Sequence, residues 1–211
     1  MGYDFRNSTI DEFTKELSSK SSVPGGGGAA GLVASVGIAL SSMTAAFTVG
    51  KPKYASVNAD MERILSECEE LRNEALAAMD RDAEAFEPMS LVYKMPRDTE
   101  EERKARDEAM EDCLHGAGLV PLSLMELCCR GIDLALELSE KGSELLLSDA
   151  GCSAAALSAA LRSAYLNVII NTSSMKDRKH ASELLEKADK LYREGVENAE
   201  KAYGSVLRKL Q

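Results

Sequence analysis

Tryptophan is absent, aromatic residues make up 5% of the chain, and histidine occurs twice, at His115 and His180. So few aromatic side chains speak against a sheet protein, whose strands are enriched in them. The abundant Ala, Leu, Glu and Lys favour helix instead. Neither histidine has a second ligand at metal spacing, so no metal site is expected. No G-x-S-x-G motif occurs, which removes the serine-hydrolase elbow from consideration. Basic residues are outnumbered, with Lys and Arg totalling 25 against 35 Asp and Glu, for a net charge of −10. An acidic surface repels phosphate backbones, so no nucleic acid is expected as a partner. Five cysteines, Cys68, Cys113, Cys128, Cys129 and Cys152, are an odd number at spacings that match neither a disulfide framework nor a zinc site. They read as free thiols of a reducing compartment, mostly core filler. The stretch MGYDFRNST lacks the basic-then-apolar order of a signal peptide, and Arg6 stands where myristoylation wants Ser or Thr. A cytoplasmic location is the expectation.

A further absence is local. From Ser21 to Gly50 there is no Asp, Glu, Lys or Arg, and the run opens on Ser22-Val-Pro-Gly-Gly-Gly-Gly28. A P-loop would need Lys-Ser/Thr after its last glycine and a strand before its first. Gly28 is followed by Ala29 and Ala30, and no strand precedes it, which also rules out a dinucleotide-binding turn. The run is long enough to span a membrane. Ser35, Ser41, Ser42 and Thr44 dilute it, however, and no Trp or Tyr belt frames it. A buried helix from about Ala29 to Thr48 is therefore expected, with no membrane partner. Its glycine entry either exposes backbone N–H groups to an anionic or polarised group, or is simply a tight turn.

What is present reads as helix throughout. Thr9-Ile-Asp-Glu12 fits a capping box. Met61, Ile64, Leu65, Cys68, Leu71, Ala75, Met79, Ala83 and Phe86 form a stripe of 3.6-residue period in a helix from about Ser56 to Glu87. Pro88 and Pro96 are expected to bound an irregular piece. An acidic start at Asp98 opens the next helix, and Pro121 either restarts or kinks it. Gly142 suits a C-cap. Asp149 is expected to cap a second small-residue helix that carries one charge, Arg162, to about Ser174. A charged amphipathic helix from Arg178 to Leu210 closes the chain. The prediction is an all-α, single-domain bundle over residues 1–211, with six or seven helices and small-residue helices at its centre.

Several polar groups stand out. Asp82 falls on or beside the apolar stripe of its helix, where a carboxylate is costly unless paired or employed; an edge position reaching solvent fits the spacing equally well. Ser163, Asn167 and Asn171 recur every four residues in an apolar segment, consistent with interhelical hydrogen bonds or with ligand contact. Lys51, Lys53 and Tyr54 make a basic, aromatic corner suited to an anionic ligand, or to a plain helix C-terminus.

Three stretches carry a resemblance. SSVPGGGGAAGLVASVGIALSSMTAAFTVGKPKY, MDRDAEAFEPMSLVYKMPRDTEEERKARDEA and SDAGCSAAALSAALRSAYLNVIINTSSMKD occur in that order. Together they resemble the Pro-Gly-Gly-Gly opening, the Asp-x-x-Ala-Phe segment and the Ser-Asp-x-Gly helix of the cyclodeaminase/cyclohydrolase family. The resemblance implies an all-helical, dimeric enzyme acting on a one-carbon tetrahydrofolate, with folate as its substrate and no further cofactor. The reaction implied is hydrolysis of 5,10-methenyl- to 10-formyl-tetrahydrofolate. The alternatives are cyclodeamination of 5-formimino-tetrahydrofolate with release of ammonia, or a non-catalytic dimer that binds a ligand or protein. It places Pro24, Gly25, Gly26, Gly27, Gly28, Lys51, Lys53, Tyr54, Phe86, Asn167 and Asn171 around the substrate. Asp82 would be the catalytic carboxylate and Asp149 the second. The asparagines would hold the pterin edge, the lysines the glutamate carboxylates, and Tyr54 or Phe86 would stack on a ring.

Overall fold

The structure, a computed structural model, describes residues 2–211. Seven α-helices follow one another: α1 (Ile10–Leu17), α2 (Gly26–Ala46), α3 (Asn58–Val92), α4 (Glu100–Ala117), α5 (Leu119–Lys141), α6 (Leu147–Ser174) and α7 (Arg178–Leu210). Short 3-10 turns lie at Phe5–Asn7, Pro52–Val57 and Glu144–Leu146, and no strand occurs among the described residues. The all-α expectation holds.

The helix starts are set by local chemistry. Thr9 and Glu12 exchange both bonds of the predicted capping box, and Thr99 with Glu102 makes a second one ahead of the acidic first turn of α4. Asp177 accepts from the Lys179 and His180 amides and so caps α7. Pro121 sits in the first turn of α5, where no helical N–H partner is lost, so it restarts a helix instead of kinking one. Gly142 closes α5 by donating to the Leu138 carbonyl.

Three expected boundaries move. α2 begins at Gly26, not Ala29, because packing outweighs the low helix propensity of glycine. α3 runs through Pro88 to Val92 instead of ending before it; Met89 and Val92 are buried and hold the last turn on the core. α6 starts at Leu147, so Asp149 is not its N-cap but a first-turn residue, and the side chains there make no capping bond.

The core is one cluster contributed by α2 to α7. α2 packs chiefly on α3 and α6, α6 on α2, α5 and α7, and α5 touches all four of these neighbours. α2 and α6 run antiparallel: Gly26 lies by Asn167, Gly37 by Leu157, and Ser41 shares a hydrogen bond with Ser153 at 2.8 Å. Their close approach depends on missing side chains. A Cβ on Gly37 would stand 2.8 Å from Leu157 Cγ, and one on Gly31 would stand 2.9 Å from the Ala75 carbonyl of α3. The buried Ser153 hydroxyl also donates to the Gly37 carbonyl, so the polar groups at this crossing are paired.

α2 is only half buried, which corrects the expectation of a buried helix. Val33, Val36, Met43 and Phe47 face outward, as do Leu166, Ile169 and Ile170 on α6. By length and composition both helices could cross a membrane, yet about half of each apolar window is buried inside the fold. All five cysteines are free thiols; Cys68 and Cys128 are buried and Cys152 is exposed.

Candidate active site

The start of α2 poses a local problem that shapes the site. Its N-cap is Gly25, which has no side chain to accept from the orphan amides of the first turn. The acceptor comes from another helix. Asp82 of α3 takes the Gly28 N–H at 2.9 Å through Oδ2. The carboxylate therefore points neither to the solvent edge nor into the apolar stripe. It lies against the positive end of a helix, the arrangement that favours a negative charge there. Burial works in the opposite direction and dominates, pushing the Asp82 carboxyl above its ordinary value, with the Gly28 amide partly offsetting this.

Among the described residues, Asp82 is the sole ionisable side chain lining a cavity of about 210 Å³ between the N-terminus of α2, the C-terminal half of α3, and α6. Gly25, Gly26 and Gly27 form one wall, Phe86 another, and Asn167 with Asn171 a third. Asn167 donates its amide to the Ser163 carbonyl at 2.8 Å, and Asn171 donates to the Ala117 carbonyl at 3.0 Å. A carbonyl can be satisfied only by a donor, so both amides are fixed with nitrogen to the protein. Their oxygens remain as acceptors. Asp82 and the two asparagines thus supply acceptors, and the first-turn amides of Gly26 and Gly27 supply donors that the helix leaves unused. Such a site suits a ligand that carries N–H groups or a delocalised positive charge beside an apolar ring.

Of the residues singled out in the sequence, Gly25 to Gly27, Asp82, Phe86, Asn167 and Asn171 meet in this cavity. Gly28 serves it through the amide that holds Asp82, and Pro24 is buried behind Gly28. Ser163 accepts Asn167 at the cavity edge through its carbonyl. Lys51, Lys53, Tyr54 and Asp149 are not brought there within one copy of the chain. They lie at the opposite end of α2, whose 21 residues span about 30 Å. There Lys53 pairs with Glu144 at 2.7 Å, and Tyr54 Oη accepts the Glu144 amide at 3.1 Å. Lys51 sits over the Phe47 ring at 5.7 Å. Lys53 and Tyr54 line a wider groove of about 710 Å³ with Lys141 and Lys209. Asp149 is half-exposed in the first turn of α6.

Sequence reasoning missed Ser22, Val23, Ala85, Met89 and Ala117 in the cavity wall. Ala85 and Met89 follow Asp82 at three and seven residues, so helical spacing carried a signal for them. Ala117 contributes through its position at the end of α4, which no local pattern announces.

Comparison with known proteins agrees with this architecture. The family model for formiminotransferase-cyclodeaminase matches residues 9–190. A methenyltetrahydrofolate cyclohydrolase of Methylorubrum extorquens is 38% identical over 204 residues, covering 97% of this chain and 98% of that one. The formimidoyltransferase-cyclodeaminase of Rattus norvegicus is 30% identical over 95% of this chain, which spans 37% of that longer protein. Among solved structures, a formiminotetrahydrofolate cyclodeaminase from Thermotoga maritima superposes with a TM-score of 0.88 at 24% identity, covering 99% of this chain and all of that one, which fixes the fold. This chain belongs to the formiminotransferase-cyclodeaminase family.

Proposed function

We propose that the protein is a methenyltetrahydrofolate cyclohydrolase. The observation that carries the reading is a carboxylate, Asp82, held at a helix N-terminus in a cavity where Asn167 and Asn171 have their amide nitrogens bound to the protein and their oxygens left as acceptors. The substrate's methenyl carbon sits between two nitrogens that share a positive charge. Acceptors around it stabilise that charge, and the apolar face of Phe86 suits the ring. Asp82 takes a proton from the attacking water while the oxygen bonds to the methenyl carbon. Asp82 then returns this proton to N5 as the bond from N5 to the tetrahedral carbon breaks, N5 leaves as an amine, and the carbinol O–H gives its proton to solvent as the carbon becomes the formyl group on N10. Asn167 and Asn171 accept from the pterin's N–H edge. The 38% identity to a cyclohydrolase along the whole length of both chains, against 30% and 24% to the cyclodeaminases, supports hydrolysis over cyclodeamination. Purified protein given methenyltetrahydrofolate should bleach its absorbance, and given formiminotetrahydrofolate should leave it flat. Growth of the methenyl band from the formimino compound would instead establish deamination, and no change with either would leave a binding module.

A cavity of about 210 Å³ is smaller than the roughly 300–1,000 Å³ usual for a drug-sized ligand. The rest of the substrate must lie outside it. We propose that a second copy supplies that surface. The outward faces of α2 and α6 are apolar, α2 has no charged residue, and Val33, Val36, Met43 and Phe47 recur at helical spacing along it. A two-fold axis lying in the plane of this face and perpendicular to α2 sets the two α2 helices antiparallel. That arrangement brings the Lys51–Tyr54 corner of one copy toward the Asp82 cavity of the other, where lysines would meet the substrate's carboxylates. Val36→Glu places a charge on this face without disturbing the monomer core, because Val36 is 49% exposed. Sedimentation should show the solution mass halved, with the helical content unchanged. A mass that stays at two copies would place the interface elsewhere.

A further inference from the structure

The glycines at the entry to α2 form a wall of the cavity. One of them has a different role. We infer that Gly27 is a positioning residue for Asp82, its missing side chain being the space in which the carboxylate lies. This rests on Asp82 serving as the proposed base. A Cβ built on Gly27 would stand 1.9 Å from Asp82 Oδ1, 2.4 Å from Cγ and 2.7 Å from Oδ2. No other glycine in the chain faces a carboxylate so closely; Gly26 has Asn167 at 3.6 Å, ordinary contact, and Gly25 has nothing within 4 Å. The carboxylate lies flat on the first turn of α2. Oδ2 is fixed by the Gly28 amide, while Oδ1 has no hydrogen bond among the described residues and is not sealed from the cavity. One oxygen is thus an anchor and the other is left to exchange a proton.

With alanine at position 27, van der Waals contact forces the carboxylate away by more than about 1 Å and breaks the anchor. Alanine favours helix, so α2 itself should still form. A displacement of that size in a reacting group costs on the order of 100-fold in rate. Gly27→Ala should therefore lower kcat about 100-fold, leave KM within about threefold, and move the inflection of the kcat–pH profile. The same substitution made in an Asp82→Asn background should change the residual rate by less than about threefold, because a positioning residue has nothing left to position. Equal falls in both backgrounds would mean that Gly27 acts on the substrate directly and would overturn the inference. So would a Gly27→Ala enzyme with wild-type kcat. Circular dichroism checks the fold of each variant. A measurement on the unaltered protein stands beside them: the Gly28 amide ¹⁵N shift should titrate with the inflection seen in kcat, and a Gly28 signal that does not do so counts against the anchored carboxylate. Near-normal turnover in Asp82→Asn would instead remove the proposed base itself, an outcome distinct from all of these.

Discussion

Asp82→Asn should lower kcat for methenyltetrahydrofolate by on the order of 10²–10⁴-fold, the range lost when a positioned acid–base group is removed. The fold should survive. An asparagine oxygen can still accept the Gly28 N–H that Asp82 holds at 2.9 Å, so α2 keeps its borrowed cap. The pH dependence supplies a second check. Burial, the largest influence, raises the Asp82 carboxyl above the ordinary aspartate value, and a base must be ionised to act. Turnover of the unaltered enzyme should therefore rise with pH through a midpoint above that of a free aspartate, and this inflection should vanish in the asparagine variant. For stability the sign is also fixed. An acid whose folded pKa is raised gives the native state an advantage that is full below the unfolded value and lost as pH rises through the folded one. Asparagine, which never ionises, should flatten that part of the stability–pH curve. Wild-type turnover in Asp82→Asn, with an unchanged pH profile, would sink the assignment.

Leu157→Ala should be the most damaging core truncation, at about 4 kcal/mol within the 2–5 kcal/mol range for buried leucines. Leu157 is fully buried on α6 and lies over two glycines, Gly37 of α2 and Gly131 of α5. The cost of a truncated leucine depends on how well its surroundings collapse. Here the neighbours have no side chains with which to fill the gap, and the helix backbones are fixed by their other contacts. Urea unfolding should show a lower midpoint at unchanged slope, and the melting temperature should fall by about 8–16 °C for a chain of this size. A loss below about 1 kcal/mol would mean that the crossing of α2, α5 and α6 closes up without it. The Asp82 cavity lies at one end of that crossing, so the variant that folds should also bind substrate less well.

Local chemistry accounts for what could be read directly. Capping at Thr9, the stop at Gly142 and the stripe from Met61 to Ala83 all depend on residues within a few positions of one another, whereas Pro121 was open between a restart and a kink until the fold decided for the restart. The missing aromatics and the uncharged run from Ser21 to Gly50 had already selected close-packed helices over sheet. The family motifs added Asp82, the glycines and the asparagines as residues of one site, and the fold brings these together. Pro88 and Asp149 misled for the same reason in reverse: each is a good local stop or start signal, but buried neighbours, Met89 and Val92 beyond the one and Leu147 before the other, kept the helix going.

Other properties exist only between segments far apart in sequence. That α2 lacks its own cap is visible at Gly25; that the acceptor arrives from Asp82, 54 residues away from Gly28, is not. Nor does any spacing reveal that Lys51, Lys53 and Tyr54 stand at the far end of α2 from Asp82, or that one side of this apolar helix is left uncovered. The sequence by itself determined the helices, their class and the chemical types in the site, because hydrogen bonding and apolar periodicity act over a few residues. The tertiary structure decided which of those residues share a cavity, what Gly27 is for, and which face remains free, because packing geometry is settled only when α2, α3 and α6 have met.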